Sequence, residues 1–313
     1  MSTFSIDLPE PVLLRARAQG AEGEAWIAVL PELVGELAAD WGLTVGRTLS
    51  GGTEAYAAEV AMADGRAAVL KVQPPGRDPD SRQLAVLLLA QGQGYAEVYA
   101  HDDGRRAVLL EKLGRQLVAT GWSVEAQIEA LCATLKSAWQ PLSSAGDFQT
   151  GAEKAAVLVA FIADLWEELD RPCPEATIEA ALACARAREA AFDPARAVLG
   201  HGDAHAWNAL EAPGGGFKFV DPDGLYIEPE YDLGVAMREW TEDLLAGDPL
   251  ERGRARCLRL AELTGGDPTA IWQWGLTERT STALLALKLG LEGGAEMLAV
   301  SNAWAADRLG NFG

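Results

Sequence analysis

The chain is short of several residue types. Its 313 residues include only 3 histidines and 4 cysteines. Cys132, Cys173, Cys184 and Cys257 stand far apart with no C-x-x-C spacing, so neither a zinc site nor a disulfide framework is indicated. A reducing, cytoplasmic setting is the expectation. Basic residues are also scarce: 26 Lys and Arg face 46 Asp and Glu, for a formal net charge of -20. A field of that sign opposes nucleic acid and anionic membranes and attracts cations. No nucleic-acid or membrane partner is therefore expected, and the acidic balance reads either as a solvated surface or as a preference for a cationic substrate. The longest apolar run, residues 84–90, is far too short to cross a bilayer. The opening MSTFSIDLPE has no basic region followed by an apolar one, so no leader is expected. Gly-x-Lys Walker spacing is absent, which argues against a P-loop enzyme.

What is present describes a globular protein, 49% apolar and 23% charged, long enough for two lobes with their own cores. Residues 10–41 carry Val12, Leu13, Trp26, Leu30, Leu33, Val34, Leu37 and Trp41 at helical spacing, with Gly20 and Gly23 dividing two helices. Short strands follow: LTVGRTL, then EAYAAEVAMA, then RAAVLKV after an Asp64-Gly65 turn. Asp-Gly between strand-like runs is a hairpin signal, so an antiparallel meander is predicted. A helix is predicted within residues 80–91 and one more strand at Ala107–Glu111. After Lys112 the pattern turns to long amphipathic helices, such as the face formed by Leu158, Phe161, Leu165 and Leu169. Two strand-like runs, 197–199 and 217–220, interrupt them, and helix resumes from about Leu233.

Between those two runs lies LGHGDAHAWNAL, residues 199–210, with two of the three histidines. Asp203 and Asn208 are five positions apart, and Asp221 ends the next strand-like run. Asn208 and Asp221 are the hard oxygen ligands that Mg²⁺ prefers when a nucleotide's phosphates supply the remaining oxygens. Asp203, not needed for metal, is suited to accept a proton from a substrate hydroxyl. On the strand AVLKV, alternation sends Val69 and Lys71 to one face and Leu70 and Val72 to the other. Lys71 reads either as a phosphate ligand or as a strand-end lysine reaching solvent.

The pattern H-G-D-x-H-x-x-N followed by V-D-P resembles the aminoglycoside phosphotransferases, relatives of protein kinases, and more narrowly the streptomycin 6-kinase and hydroxyurea-resistance kinase group. The likeness extends to the segment WIAVLPELVGELAADWGL, to SGGTEAYAAEV, AVLKV and VLLEKL, and to DPDGLYIEPEYDLG. It implies an α+β, protein-kinase-like two-lobe fold: a small β-rich N-terminal lobe over residues 1–111 with an antiparallel sheet, and a larger, mostly helical C-terminal lobe over 112–313. It implies ATP and Mg²⁺, with Asp203 as catalytic base, Asn208 and Asp221 as metal ligands and Lys71 on the α/β-phosphates. Gly51 and Gly52 become the turn that covers the phosphates, with backbone contacts over residues 50–53. Glu111, Lys112 and Leu113 fall where relatives place the hinge that binds adenine through backbone groups. Asp232 becomes a brace for the catalytic loop, although on its own it reads as a cap for the helix that follows. His201 and His205 are read as structural. Asp223, Glu228 and Glu230 are read either as an acidic face toward a cationic acceptor or as a solvated loop. Trp207, Trp240, Trp272, Trp274 and Trp304 are read as core packing for the most part, with sugar stacking as the alternative.

One departure is plain. Kinase lobes pair the strand lysine with a glutamate on the next helix, yet residues 82–95 hold no acidic residue, and Gln83 is the nearest polar stand-in. The leading expectation is an ATP-dependent O-phosphotransferase acting on a streptomycin-type aminoglycoside and conferring resistance. A kinase of a sugar, hydroxyurea or another small hydroxylated metabolite is the second reading. A non-catalytic nucleotide-binding protein of kinase fold, suggested by the missing glutamate, is the third.

Overall fold

Helices α1 (Glu10–Arg17) and α2 (Ala21–Trp41) occupy the segment of helical periodicity; the break between them falls next to Gly20, whereas Gly23 lies buried inside α2 and does not divide the helices. The computed structural model describes residues 6–49, 55–75, 80–307 and 312. Glycines 51 and 52, and the whole of residues 50–53, lie outside the described residues. By its internal contacts the chain divides into two units, Met1–Gly114 and Arg115–Gly313.

In the first unit, strands β1 (Thr44–Thr48), β2 (Tyr56–Ala61) and β3 (Ala67–Val72) form the expected meander. Asp64 tightens the β2–β3 turn by accepting from the Arg66 backbone N–H at 3.0 Å. After helix α3 (Asp80–Ala90) come β4 (Val98–Asp102) and β5 (Ala107–Glu111). The antiparallel sheet has the order β1-β2-β3-β5-β4. Strand β4 was not anticipated, because VYAHD is a half-buried edge whose side chains do not alternate cleanly between apolar and polar. Trp26, Leu30, Val34 and Leu37 of α2 share one buried cluster with Ala58, Val60, Leu70 and Val72 of the sheet. Burial of that face is what seats α2 on the sheet.

The second unit runs through α4 (Val124–Ala138), β6 (Gln149–Thr150), α5 (Gly151–Glu168) and α6 (Glu175–Ala190). Thr150 and Glu153 form a reciprocal capping box that starts α5. Next come four short strands: β7 (Val198–Gly200), β8 (Ala209–Glu211), β9 (Phe217–Phe219) and β10 (Leu225–Ile227). The two strand-like runs read from the sequence are thus strands, but they do not pair with each other. β7 lies antiparallel to β10, which also pairs with β6, whereas β9 forms a separate ribbon with β8. The chain finishes with α7 (Glu230–Met237), α8 (Thr241–Leu245), α9 (Pro249–Thr264), α10 (Pro268–Leu289) and α11 (Gly294–Trp304).

Helix α10 is the unit's axis, buried along most of its length. Helix α7 lies so close to it that a Cβ on Gly234 would sit 2.4 Å from Trp274 Cβ, so only glycine permits the approach. Trp272, Trp274 and Trp304 are fully buried and Trp240 is half-buried, in line with core packing. Trp207 is the exception, 55% exposed within the loop between β7 and β8.

Candidate active site

The loop between β7 and β8 is held from behind by one carboxylate. Asp232 Oδ2 accepts the backbone N–H of His201 at 3.0 Å and the indole N–H of Trp139 at 2.9 Å, while Oδ1 accepts the N–H of Gly202 at 2.9 Å. The capping reading of Asp232 is corrected here: Pro229 is the N-cap of α7, and the Asp232 side chain leaves its own helix to reach the loop. Gly202 has φ +90°, and a Cβ there would lie 2.7 Å from Asp223 Cβ. The turn that lifts Asp203 out of β7 therefore needs glycine.

Both histidines of the loop have defined tautomers. The N–H of Asp203 donates to His201 Nδ1 at 3.1 Å, so the ring proton is on Nε2, which donates to Val220 O at 3.0 Å. Burial pushes His201 below its ordinary pKa, against the pull of Asp232 and Asp203, which suits this neutral bridge. Likewise the N–H of Trp207 donates to His205 Nδ1 at 3.2 Å, leaving Nε2–H to donate to Asp203 Oδ2 at 3.1 Å.

Asp203 is partly exposed and receives three side-chain donors. His205 and the Asn208 amide reach Oδ2, the latter at 3.4 Å, and Arg238 Nη2 donates to Oδ1. Burial raises the carboxyl's pKa, but the His205 hydrogen bond and the Arg238 charge outweigh it and hold Asp203 well below the usual carboxylate range. Arg238 is in turn bound to Glu278 Oε2 at 3.1 Å, and Tyr231 OH donates to Glu278 Oε1 at 2.6 Å. Neither Arg238 nor Glu278 was singled out in the sequence. They stand 35 and 75 residues beyond Asp203, with no local pattern to tie them to it.

Asn208 turns its amide nitrogen to Asp203 O at 3.1 Å, which sends its amide oxygen the other way. Its own carbonyl accepts the N–H of Val220 at 2.9 Å, one residue before Asp221. Asn208 and Asp221 thus flank one end of the β8–β9 ribbon. Asp221 is exposed and has φ +54°, a left-handed conformation that Asp tolerates better than most residues. Among the described residues there is no group of three or more His, Cys, Asp or Glu side chains arranged to hold a metal. The Asn208 amide oxygen and the Asp221 carboxylate are hard oxygen donors that fit Mg²⁺, which keeps waters and takes phosphate oxygens for the rest of its shell.

The acidic residues after Asp221 divide. Asp223 stays beside the loop, its N–H donating to His201 O at 2.8 Å, and its carboxyl is pushed up by desolvation and by the Asp203 charge. Glu228 and Glu230 do not join it. Glu228 is buried against Arg188 at 3.2 Å and the Trp274 indole at 2.7 Å, and Glu230 pairs with Arg196 at 2.8 Å. That placement makes them internal struts rather than an acceptor-facing rim. A separate cavity of about 920 Å³ is lined by Glu242, Asp243, Glu292 and Glu296, with Trp240, Leu245, Leu291 and Met297 among its other walls.

In the first unit, Lys71 and Gln83 are both buried, and Lys71 Nζ donates to Gln83 Oε1 at 3.1 Å. The stand-in read from the sequence is thus in contact with the lysine, and the solvent-reaching alternative for Lys71 is excluded. Glu111 ends β5, its N–H donating to Glu97 O at 2.8 Å, and Leu113 is buried. Lys112 points back to Glu59 at 2.9 Å.

Comparison with known proteins gives these arrangements a lineage. Residues 40–290 match the family described as aminoglycoside/hydroxyurea antibiotic resistance kinase. A streptomycin 6-kinase from Streptomyces glaucescens is 33% identical over 288 residues, covering 88% of this chain and 90% of that protein. A hydroxyurea phosphotransferase from Kitasatospora aureofaciens is 29% identical over 272 residues, covering 82% of this chain and 78% of that protein. In fold, a choline kinase from Cryptosporidium parvum Iowa II superposes with a TM-score of 0.59 at 10% identity, covering 89% of this chain and 94% of the other. The fold is that of the protein-kinase-like phosphotransferases, and the chain is an enzyme of that kind: it belongs to the aminoglycoside/hydroxyurea antibiotic resistance kinase family.

Proposed function

We propose that this enzyme transfers the γ-phosphoryl group of ATP to a hydroxyl of a streptomycin-type aminoglycoside. The observation that carries the acceptor is the 33% identity to a streptomycin 6-kinase across nearly the whole of both chains. The formal charge of -20 supports a cationic acceptor.

In this reading Asp203 accepts the proton of the acceptor hydroxyl as its oxygen attacks. A new O–P bond forms to the γ-phosphorus, the bond to the β,γ-bridging oxygen breaks, and ADP leaves with that electron pair. Asp203 is suited to the task because its carboxyl stays ionised at neutral pH. Asn208 and Asp221 hold Mg²⁺, which when bound neutralises the charge on the phosphate oxygens. Lys71, steadied by Gln83, binds the α/β-phosphates, and Glu111 and Leu113 offer backbone groups to adenine. Gly51 and Gly52 are assigned to the phosphates by family likeness alone. Asp232, His201 and His205 keep the loop in shape, and Asp223 faces the acceptor side of Asp203. Phosphoryl transfer is mainly positioning and charge neutralisation, so little further chemistry is required of the protein.

The hydroxyurea phosphotransferase relative supports a second acceptor, hydroxyurea, on the same machinery. Incubation with Mg-ATP and a panel of streptomycin, other aminoglycosides, hydroxyurea and simple sugars, read by mass spectrometry, decides between them. A gain of one phosphate on streptomycin is expected. Phosphorylation of hydroxyurea alone favours the second reading, and no product with any acceptor removes both.

A further inference from the structure

Helix α7 addresses the catalytic loop twice. From its first turn Asp232 binds the loop's backbone, and from its C-terminal cap Arg238 binds the Asp203 side chain. The helix is itself fixed against α10 by the Gly234–Trp274 approach and by Tyr231, whose hydroxyl bonds Glu278. On α10, Trp274, Glu278 and Thr282 fall four residues apart on one face, and Glu278 and Thr282 both receive Arg238 Nη1, at 3.1 and 3.5 Å. The guanidinium is 14% exposed and Glu278 5%, so this is a built-in strut and not a surface ion pair.

A carboxylate offers roughly four lone-pair sites in its plane. Arg238, His205 and Asn208 occupy three on Asp203, so the carboxylate cannot turn and one direction remains for a proton. A guanidinium on a general base weakens its basicity unless the charge is balanced. Glu278 faces the guanidinium from its other side, at 3.1 Å, and offsets part of that charge.

We propose that Arg238 is the positioning residue for the Asp203 carboxylate, with Glu278 holding the guanidinium in place and offsetting its charge. The proposal rests on the reading of Asp203 as base. Arg238 touches neither acceptor nor nucleotide in this role; it sets the orientation of the group that does.

The test replaces Arg238 with Ala and with Lys in the full chain and follows ADP release from Mg-ATP, with streptomycin as acceptor and with water alone. The slower hydrolysis reports on Asp203 even if streptomycin is not phosphorylated. Arg238→Ala should lower kcat by about 10²-fold, the scale of a misplaced catalytic group, with the KM for ATP changed less than threefold. Added guanidinium chloride at millimolar, non-denaturing levels should restore at least a tenth of the lost rate. Arg238→Lys should recover less than guanidinium does, because an ammonium lacks the planar fork. A kcat within threefold of wild type, or a loss that guanidinium leaves untouched in a protein with native circular dichroism, overturns the proposal. If Arg238→Ala does not fold, Glu278→Gln keeps one oxygen to accept from Arg238, turns its amide nitrogen to Tyr231 OH and removes the charge; it must lower kcat at constant KM for ATP, and an unchanged kcat counts against the proposal equally. Asp203→Asn separates the two readings. If it retains turnover, the base assignment fails. If it abolishes turnover while Arg238→Ala does not slow the enzyme, the positioning role fails alone.

Discussion

Lys71 and Asp203 are each a charged side chain held by a residue on a helix distant in sequence, yet they are held differently. Lys71, in the first unit, donates to the neutral amide of Gln83. Asp203, in the second, lies in a charged chain that runs through Arg238 to Glu278. The lysine is assigned to a ligand that brings its own negative charge, so a protein carboxylate is not required for it to stay ionised in the working complex. As the proposed base, the aspartate has to be ionised and aimed before any ligand arrives, and its partners are built into the fold. The comparison teaches that a missing kinase glutamate on α3 does not argue for an inactive protein. In the proposed mechanism Lys71 meets the phosphates of the nucleotide, whereas the partners of Asp203 all belong to the fold.

The sharpest way to break this contrast is at Asp203 itself. Asp203→Asn keeps the shape and removes the base, and kcat should fall by about 10³-fold, within the range for general-base groups. ATP-induced thermal stabilisation should persist, since Asp203 is not assigned to the nucleotide. Loss of that stabilisation along with turnover would show that the two units' roles are not separable in this way.

Asp232 comes next. Asp232→Ala removes the acceptor of three N–H donors, two of them backbone groups of the catalytic loop. Leaving those donors unsatisfied in the interior should cost about 3 kcal/mol of stability, read as a lowered urea midpoint at constant m. A change below about 0.5 kcal/mol would mean that the loop does not depend on this carboxylate.

Gln83 should matter less. Gln83→Leu removes one neutral acceptor from Lys71, at a cost of about 1 kcal/mol, and should raise the KM for ATP while leaving that for the acceptor unchanged. Gln83→Glu supplies the kinase-like partner and should stabilise the nucleotide-free enzyme. If it instead raises kcat tenfold, the amide is a handicap and not a sufficient substitute.

The smallest effect is on the pH dependence of stability. Asp203 lies below the ordinary carboxylate range when folded, so the stability it contributes is complete above the unfolded pKa, about 4. That stability is lost as pH falls toward the depressed folded value, because the unfolded chain takes up the proton first. Subtracting the Asp203→Asn curve from wild type, by urea unfolding between pH 3 and 7, should give a difference that shrinks on the acid side. The Gln83 amide does not titrate, so the corresponding Gln83→Leu difference should stay flat over this range.

Much of the molecule was legible in order along the chain. The α1–α2 pair and the β1–β3 meander follow from local periodicity and the Asp64-Gly65 turn, and the loop of Asp203 and Asn208 stands out by spacing. Even Gln83 stands out, because residues 82–95 hold no acidic residue. What stayed hidden depends on distant partners. Glu228 and Glu230 look in sequence like an exposed acidic stretch, and only Arg188 and Arg196 of neighbouring elements draw them inside. Asp232 precedes an apolar helical run as a cap would, but the proximity of the loop's N–H groups gives its carboxylate stronger partners.

The sequence by itself determined which chemical groups are available and how each local segment folds, because hydrophobic spacing, turn residues and the H-G-D-x-H-x-x-N loop act over a few residues. Only the tertiary structure decided which charges meet. Arg238 and Glu278 come to Asp203 from separate helices because α7 and α10 pack at glycine distance, and a charge pair exists only where such packing closes a gap of many residues.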